Sequence, residues 1–259
     1  MVDPMTENGP TTFVFVHGSW HSGESWERVA RPLRAAGHTV FAPDLTGHGR
    51  HAAAMTPKVG LSTHVDDIVR LIRDEELRDV VLVGHSYGGA VITCAAEELP
   101  ERIARLIYID AVVPENGEST VDVMPEVFTP FIEAALVSAA PWLMPPPQQS
   151  PAGLFGITDP SDIEWVRSTL TPQSVLSWME RARLDNRRAT AIPRSHIHCA
   201  LHPRADARRP VPPIQPNGTP ADVWEIQSGH DCMVIAPSEL VELLLTIATD
   251  NRSIMENPR

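Results

Sequence analysis

The stretch Val80-Val81-Leu82-Val83-Gly84-His85-Ser86-Tyr87-Gly88-Gly89-Ala90 decides the fold. Four consecutive apolar residues, three of them β-branched, read as a strand buried on both faces, and residues 90–99 read as a helix. Between them stands Gly-x-Ser-x-Gly. At a sharp strand-to-helix turn a serine hydroxyl is lifted clear of the sheet, and glycines on either side remove side chains that would collide there. The helix that follows adds positive potential from its N-terminus where an oxyanion would form. Ser86 is therefore the candidate nucleophile.

Outward from this turn, short β-branched runs alternate with amphipathic segments, the pattern of a mostly parallel sheet flanked by helices. Residues 12–16 predict a strand ending at His17-Gly18, residues 39–42 a second ending at Pro43-Asp44, and residues 106–109 a fourth. Helices are predicted through Trp26, Val29, Ala30 and Leu33, and from a Ser62 or Thr63 cap through Val65, Ile68, Val69 and Ile72. After Pro114 the alternation stops. Residues 115–190 show helical periodicity without strands and contain Pro141-Trp142-Leu143-Met144-Pro145-Pro146-Pro147, a run foreign to strand and helix interiors. Strand character returns at 196–201 and 223–226, before a closing helix through Leu240, Leu243, Leu244 and Ile247; the proline-rich residues 203–220 form a surface connection. The predicted organisation is an α/β core of residues 1–114 and 191–259 with a helical cap, 115–190, inserted in it.

Composition narrows the partners. With 21 Lys and Arg against 33 Asp and Glu the formal charge is −12, the wrong sign for a phosphate backbone or an anionic membrane surface. No apolar run approaches the ~18 residues needed to span a bilayer, and residues 1–10 lack the basic and apolar regions of a secretory signal. Cys94, Cys199 and Cys232 are widely spaced, with no Cys-x-x-Cys pair, and suggest neither a disulfide framework nor a zinc knuckle. The expected setting is cytoplasmic and the expected partner a small molecule, with no nucleic acid and no membrane; a homodimer stays open.

A serine hydroxyl needs a neighbouring base. Among 11 histidines, His230 in Gln227-Ser228-Gly229-His230-Asp231 lies just past the last predicted strand, at the sheet edge it would share with Ser86 if both strands run parallel. An oxyanion hole needs two backbone N–H groups: Tyr87, directly after the nucleophile, supplies one, and Ser19, in His17-Gly18-Ser19-Trp20, the other. Asp44 and His48 should shape the loop beside the site. His196, His198 and His202 carry no carboxylate or thiolate spacing that would make them a metal site, so neither metal nor cofactor is expected.

These motifs, Phe15-Val16-His17-Gly18-Ser19-Trp20-His21, Pro43-Asp44-Leu45-Thr46-Gly47-His48-Gly49, Gly84-His85-Ser86-Tyr87-Gly88-Gly89 and Gly229-His230-Asp231 with Met233, resemble the α/β-hydrolase superfamily. More narrowly they resemble its small esterase branch of methyl-salicylate-type esterases and hydroxynitrile lyases. The resemblance implies an α/β-hydrolase fold and a Ser-His-Asp triad that cleaves carboxylic esters or lactones of small hydrophobic molecules through an acyl-enzyme. In that branch the acid usually follows the strand that resumes after the insertion, where Leu201, His202 and Pro203 stand here, none of them a carboxylate. Asp110, ending the preceding strand as in some α/β-hydrolases, is preferred, with Asp206 as the alternative. Lyase members carry a threonine where Gly18 stands and a lysine where Asp231 stands, which argues against lyase chemistry. The other readings are a tailoring hydrolase that opens a lactone or breaks a C–C bond in a larger metabolite, and a hydrophobic-ligand receptor without turnover. The candidate substrate-binding residues are Trp20, Phe128, Phe131, Trp142 and Trp165, most apolar side chains of the insertion being expected to form its own core.

Overall fold

A computed structural model describes residues 9–150, 153–202 and 208–249. In chain order the strands are β1 (Thr12–Val16), β2 (Thr39–Phe41), β3 (Val80–His85), β4 (Ile103–Ile109), β5 (Leu143–Met144), β6 (Gln173–Ser174), β7 (Arg194–Cys199) and β8 (Asp222–Ile226). Six of them form one sheet in the order β2-β1-β3-β4-β7-β8, with every adjacent pair parallel. The helices are α1 (Glu27–Ala35), α2 (Leu61–Asp74), α3 (Gly88–Glu98), α4 (Thr120–Val123), α5 (Pro125–Leu136), α6 (Pro160–Thr169), α7 (Val175–Met179), α8 (Cys232–Ile235) and α9 (Pro237–Thr249).

Side chains alternate across a strand, so each central strand feeds two cores. Val14, Val16, Leu82 and Leu106 pack with Ile68, Ile72, Val91 and Ala95 of α2 and α3. Phe13, Phe15, Val81, Val83, Ile107 and Ile109 face the other way, toward Val29 and Leu33 of α1 and Leu240 and Leu244 of α9. Burial on both faces is why these strands read as continuous apolar runs. Because all six strands point the same way, the turns after β1, β3, β4 and β8 gather at one edge, bringing residues 18–20, 86, 110 and 230 to a common rim.

Three expectations differ from the structure. Helix α2 starts at Leu61 with Gly60 as its cap: Gly60 N–H donates to Thr63 Oγ1 at 3.1 Å, while Ser62 N–H reaches Glu180 Oε2 at 2.9 Å. The proline-bounded run is not strand-free, since Leu143 and Met144 pair antiparallel with Ser174 and Gln173. The prolines flank this pair of residues and remove no N–H from it. Nor does the insertion keep a core to itself. Phe128, Ile132 and Trp178 merge with the α2–α3 side, and Ile163 and Val166 with the α1–α9 side. Among the described residues no helix is long and apolar enough to cross a membrane.

Candidate active site

Ser86 sits between β3 and α3 with φ +53°, a left-handed conformation that a non-glycine residue adopts only when its surroundings impose it. Here the imposition is a set of backbone bonds. Ser86 N–H donates to Ile109 O at 3.1 Å, and Ser86 O accepts from Gly89 N at 3.0 Å and Val112 N at 2.9 Å. A Cβ on Gly84 would stand 2.6 Å from Gly88 O, and one on Gly88 would stand 2.5 Å from Val16 O, so the elbow closes only with glycine at both places.

Asp110, directly after β4, is likewise left-handed at φ +43°, with its N–H donating to Ile197 O at 2.9 Å. Its carboxylate accepts from His230 Nδ1 at 2.6 Å. Of the two aspartates considered from sequence, Asp110 is the one on His230; Asp206 lies outside the described residues. Two further side chains crowd the same carboxylate: Arg208 donates to Oδ1, and His202 Nδ1 lies 3.5 Å from Oδ2. Burial alone would push the Asp110 carboxyl up, but the hydrogen bond from His230 and the charges of His230, His202 and Arg208 hold it well below the usual carboxylate range. With Nδ1 committed to Asp110, Nε2 is the His230 nitrogen free to act as a base. The His230 backbone is held from the elbow itself, because His85 Nε2–H donates to His230 O at 3.0 Å. Burial pushes His85 down to about 3, so it makes this bond as a neutral ring.

The loop after β1 is pinned from several directions. His17 Nε2 accepts from Leu45 N at 3.1 Å, so its Nδ1–H donates to Gly18 O at 2.9 Å, and burial lowers its pKa to about 3. A Cβ on Gly18 would lie 2.9 Å from Ser86 Cβ, which puts this loop directly against Ser86. Ser19 Oγ accepts from Trp178 Nε1 at 2.9 Å, and Ser19 O accepts from His21 Nδ1 at 2.8 Å. Neither Ser19 N–H nor Tyr87 N–H has a partner among the described residues. Tyr87 turns its ring inward, its hydroxyl 2.8 Å from His64 Nδ1. Asp44 accepts from Gly23 N, Arg50 N and Arg50 Nε, and His48 Nδ1 lies 2.8 Å from Thr171 Oγ1; both shape loops, and neither lines the cavity at Ser86.

That cavity is about 270 Å³ and is lined by Ser86, His230, Asp110 and Ser19 together with Trp20, Phe128 and Phe131. Phe155, Leu154, Met124 and Val127 add to its apolar wall. Trp142 and Trp165 do not reach it. Trp142 stands at the start of the β5 hairpin, where its carbonyl accepts from Val175 N at 2.9 Å. Trp165, on α6, lies beneath the Arg28 guanidinium at 4.7 Å and donates toward Glu24. For Trp165 the sequence does not state which face of α6 docks, and the packing of α6 on the α1 side turns it away from the cavity. A smaller cavity of about 180 Å³ adjoins the first across Ala111, Met124 and Arg208. His85, His230 and Asp231 form one cluster with metal-ligand spacing, and Asp110, His202 and His230 another, but in the second the His230 and Asp110 atoms already bond each other. Sequence reading missed Arg208 and the buried pair His21–Asp231, partners 98 and 210 residues from Asp110 and His21 respectively.

The alpha/beta hydrolase family model matches residues 13–243, and the chain belongs to that family. A carbendazim hydrolyzing esterase from Nocardioides sp. (strain SG-4G) is 36% identical over 249 residues, covering 91% of this chain and 98% of that protein. Methylesterase 10 of Arabidopsis thaliana is 34% identical over 118 residues, 45% of this chain and 43% of its own. Among solved structures, an extracellular alpha/beta-hydrolase from a Paenibacillus species superposes with a TM-score of 0.77 at 26% identity, covering 93% of this chain and all of the other.

Proposed function

We propose that this chain, an ester-hydrolysing member of the alpha/beta hydrolase family, acts on carboxylic esters of small hydrophobic molecules with Ser86, His230 and Asp110 as its triad. The observation that carries the assignment is the 2.6 Å bond from His230 Nδ1 to Asp110 in the cavity where Ser86 is held left-handed. In the first step His230 Nε2 takes the Ser86 proton as Oγ attacks the ester carbonyl, and the Ser19 and Tyr87 N–H groups donate to the oxyanion. Collapse breaks the ester C–O bond, and the imidazolium returns the proton to the departing alcohol. Water, deprotonated by His230, then attacks the acyl-enzyme; the carboxylic acid leaves and Ser86 regains its proton. Asp110 stabilises the imidazolium throughout and keeps Nδ1 protonated.

The substrate class follows from the wall. A cavity of about 270 Å³ faced by Trp20, Phe128, Phe131 and Phe155 suits one aromatic or short aliphatic group beside the scissile bond. Residues 115–190 act as the cap that selects it, since Phe128, Phe131 and Phe155 belong to that segment. Lactones fall within the same chemistry, with the alcohol staying tethered to the acyl group. The cytoplasm is the proposed compartment, where the free thiols of buried Cys94, Cys199 and Cys232 persist.

A panel of aryl and alkyl esters of graded size, with carbendazim included, tests this reading against wild type, Ser86→Ala, Asp110→Asn and Asp206→Asn. Hydrolysis lost in Ser86→Ala and Asp110→Asn but kept in Asp206→Asn is the expected result. Ligand binding without Ser86-dependent turnover would instead make the protein a receptor.

A further inference from the structure

His21 and Asp231 have no part in the triad, yet they make the most enclosed charged contact at this rim. His21 Nε2 lies 2.9 Å from Asp231 Oδ2, with side chains 2% and 0% exposed. The other ring nitrogen, Nδ1, lies 2.8 Å from Ser19 O, which can only accept. Ser19 O calls for N–H at Nδ1, and an ionised Asp231 calls for a second at Nε2, which makes the pair an imidazolium and a carboxylate. Burial lowers His21, but the charge and hydrogen bond of Asp231 prevail and raise it; Asp231 is lowered in turn. A buried ion pair of this kind gives little net stability over apolar side chains of similar volume, so its value lies in what it fixes.

Its two ends lie beside two parts of the site, the loop after β1 and the loop that carries His230. Ser19 carries the N–H assigned to the oxyanion, and the next residue, Trp20, is bulky and left-handed at φ +66°. Such a turn relaxes unless held. Asp231 follows His230 directly, and its Oδ1 has no hydrogen-bond partner but lies 3.9 Å from His85 Nε2, the same atom that bonds His230 O. We propose that His21 and Asp231 are positioning residues, a charged brace across 210 residues of chain that holds the Ser19 peptide and the His230 loop in one working geometry. The proposal rests on the triad reading above.

The brace is also charge-balanced. The groups facing Asp231 are His21, His85 and His230; those facing His230 are Asp110, His202, His85 and Asp231, with Arg208 behind Asp110. Remove the His21 charge, and Asp231 stands uncompensated beside the base, where it favours protonated His230.

The test uses the full chain as wild type, His21→Gln, Asp231→Asn, the double variant and Ser86→Ala, with an activated aryl ester as substrate. For His21→Gln, kcat is expected to fall roughly ten- to hundredfold with KM little changed, the scale of an ångström of misplacement at the reacting centre. The acid limb of its kcat/KM profile should move to higher pH, whereas Asp231→Asn and the double variant should keep the limb at or below its wild-type position. Loss of packing alone would lower activity and leave every limb in place. His21→Gln with wild-type kcat and an unmoved limb overturns the brace. If that variant does not fold, the uncharged double variant decides: lowered kcat with a wild-type circular dichroism spectrum supports the brace, and wild-type kcat overturns it. Turnover surviving in Ser86→Ala would sink the triad reading itself, a separate failure.

Discussion

Asp110 shows how much a single residue is asked to do. One carboxylate accepts from His230, pairs with Arg208 and faces His202, all within a left-handed turn that its own N–H anchors to Ile197. Asparagine in its place would keep the shape but could no longer hold the imidazole tautomer or stabilise its charge. Asp110→Asn is expected to lower kcat on the order of 10³–10⁴-fold with ligand binding preserved, measured by steady-state turnover beside equilibrium binding of an unreactive analogue. Arg208 acts in the opposite sense, because its positive charge disfavours the protonated base. In Arg208→Gln the acid limb of kcat/KM is expected to rise by at least about half a pH unit; a limb that falls would place the guanidinium elsewhere in solution. Ser86 and His230 were legible because each is written in a few adjacent residues at the end of a strand. Asp110 was legible as the residue that follows a predicted strand, since the place after the strand that resumes beyond the insertion holds no carboxylate. Arg208 on Asp110 and His21 on Asp231 were not, since sheet order and loop closure bring them together and no local pattern states either.

Among the elements, α7 carries more of the site than its five residues suggest. Trp178 is fully buried, with ring centroids 4.6 Å from Phe128, 5.3 Å from Trp20 and 5.8 Å from Phe131, and its Nε1–H donates to Ser19 Oγ. One side chain thus joins residues 115–190 to the cavity wall and to the loop after β1. Trp178→Phe should remove mainly the hydrogen bond, at a cost of about 1 kcal/mol, while Trp178→Ala should cost roughly 3–5 kcal/mol through the void it leaves. Urea unfolding measures both, and parallel kinetics should show kcat falling already in the phenylalanine variant. The central strands β1, β3 and β4 were readable because burial on two faces writes nearly continuous apolar runs, whereas β7 and β8 toward the edge alternate buried and more exposed positions. The cap was read as helical but assigned a core of its own, because the sequence does not show that α5 and α7 dock on one side of the molecule and α6 on the other.

At the scale of the whole molecule, the buried histidines set the response to acid. Burial pushes His17 and His85 down to about 3 and also lowers His48 and His64. An unfolded histidine binds a proton below about 6.5, and these folded ones do not, so their stabilisation is complete above that pH and is lost as pH falls toward 3. His21 has the opposite sign: its raised value gives stability that is full below 6.5 and fades as pH rises through the folded pKa. His38, His196 and His198 are lowered by burial as well, so seven histidines stand against one and decide the outcome. The urea midpoint is expected to drop steadily between pH 7 and pH 4, and the carboxylates Asp110 and Asp231, both held low, should steepen the loss below that. A midpoint flat over that range would mean that these rings take up protons without unfolding the chain.

The central claim is that one strained hydroxyl, served by one imidazole and one carboxylate, does the chemistry. A fluorophosphonate that captures activated serines tests it directly, read by mass spectrometry of the digested protein. A single adduct on the peptide containing Ser86, absent in Ser86→Ala and formed far more slowly in His230→Ala and Asp110→Asn, is the expected result. An adduct on another residue, or labelling of Ser86 at an undiminished rate without His230, would contradict it.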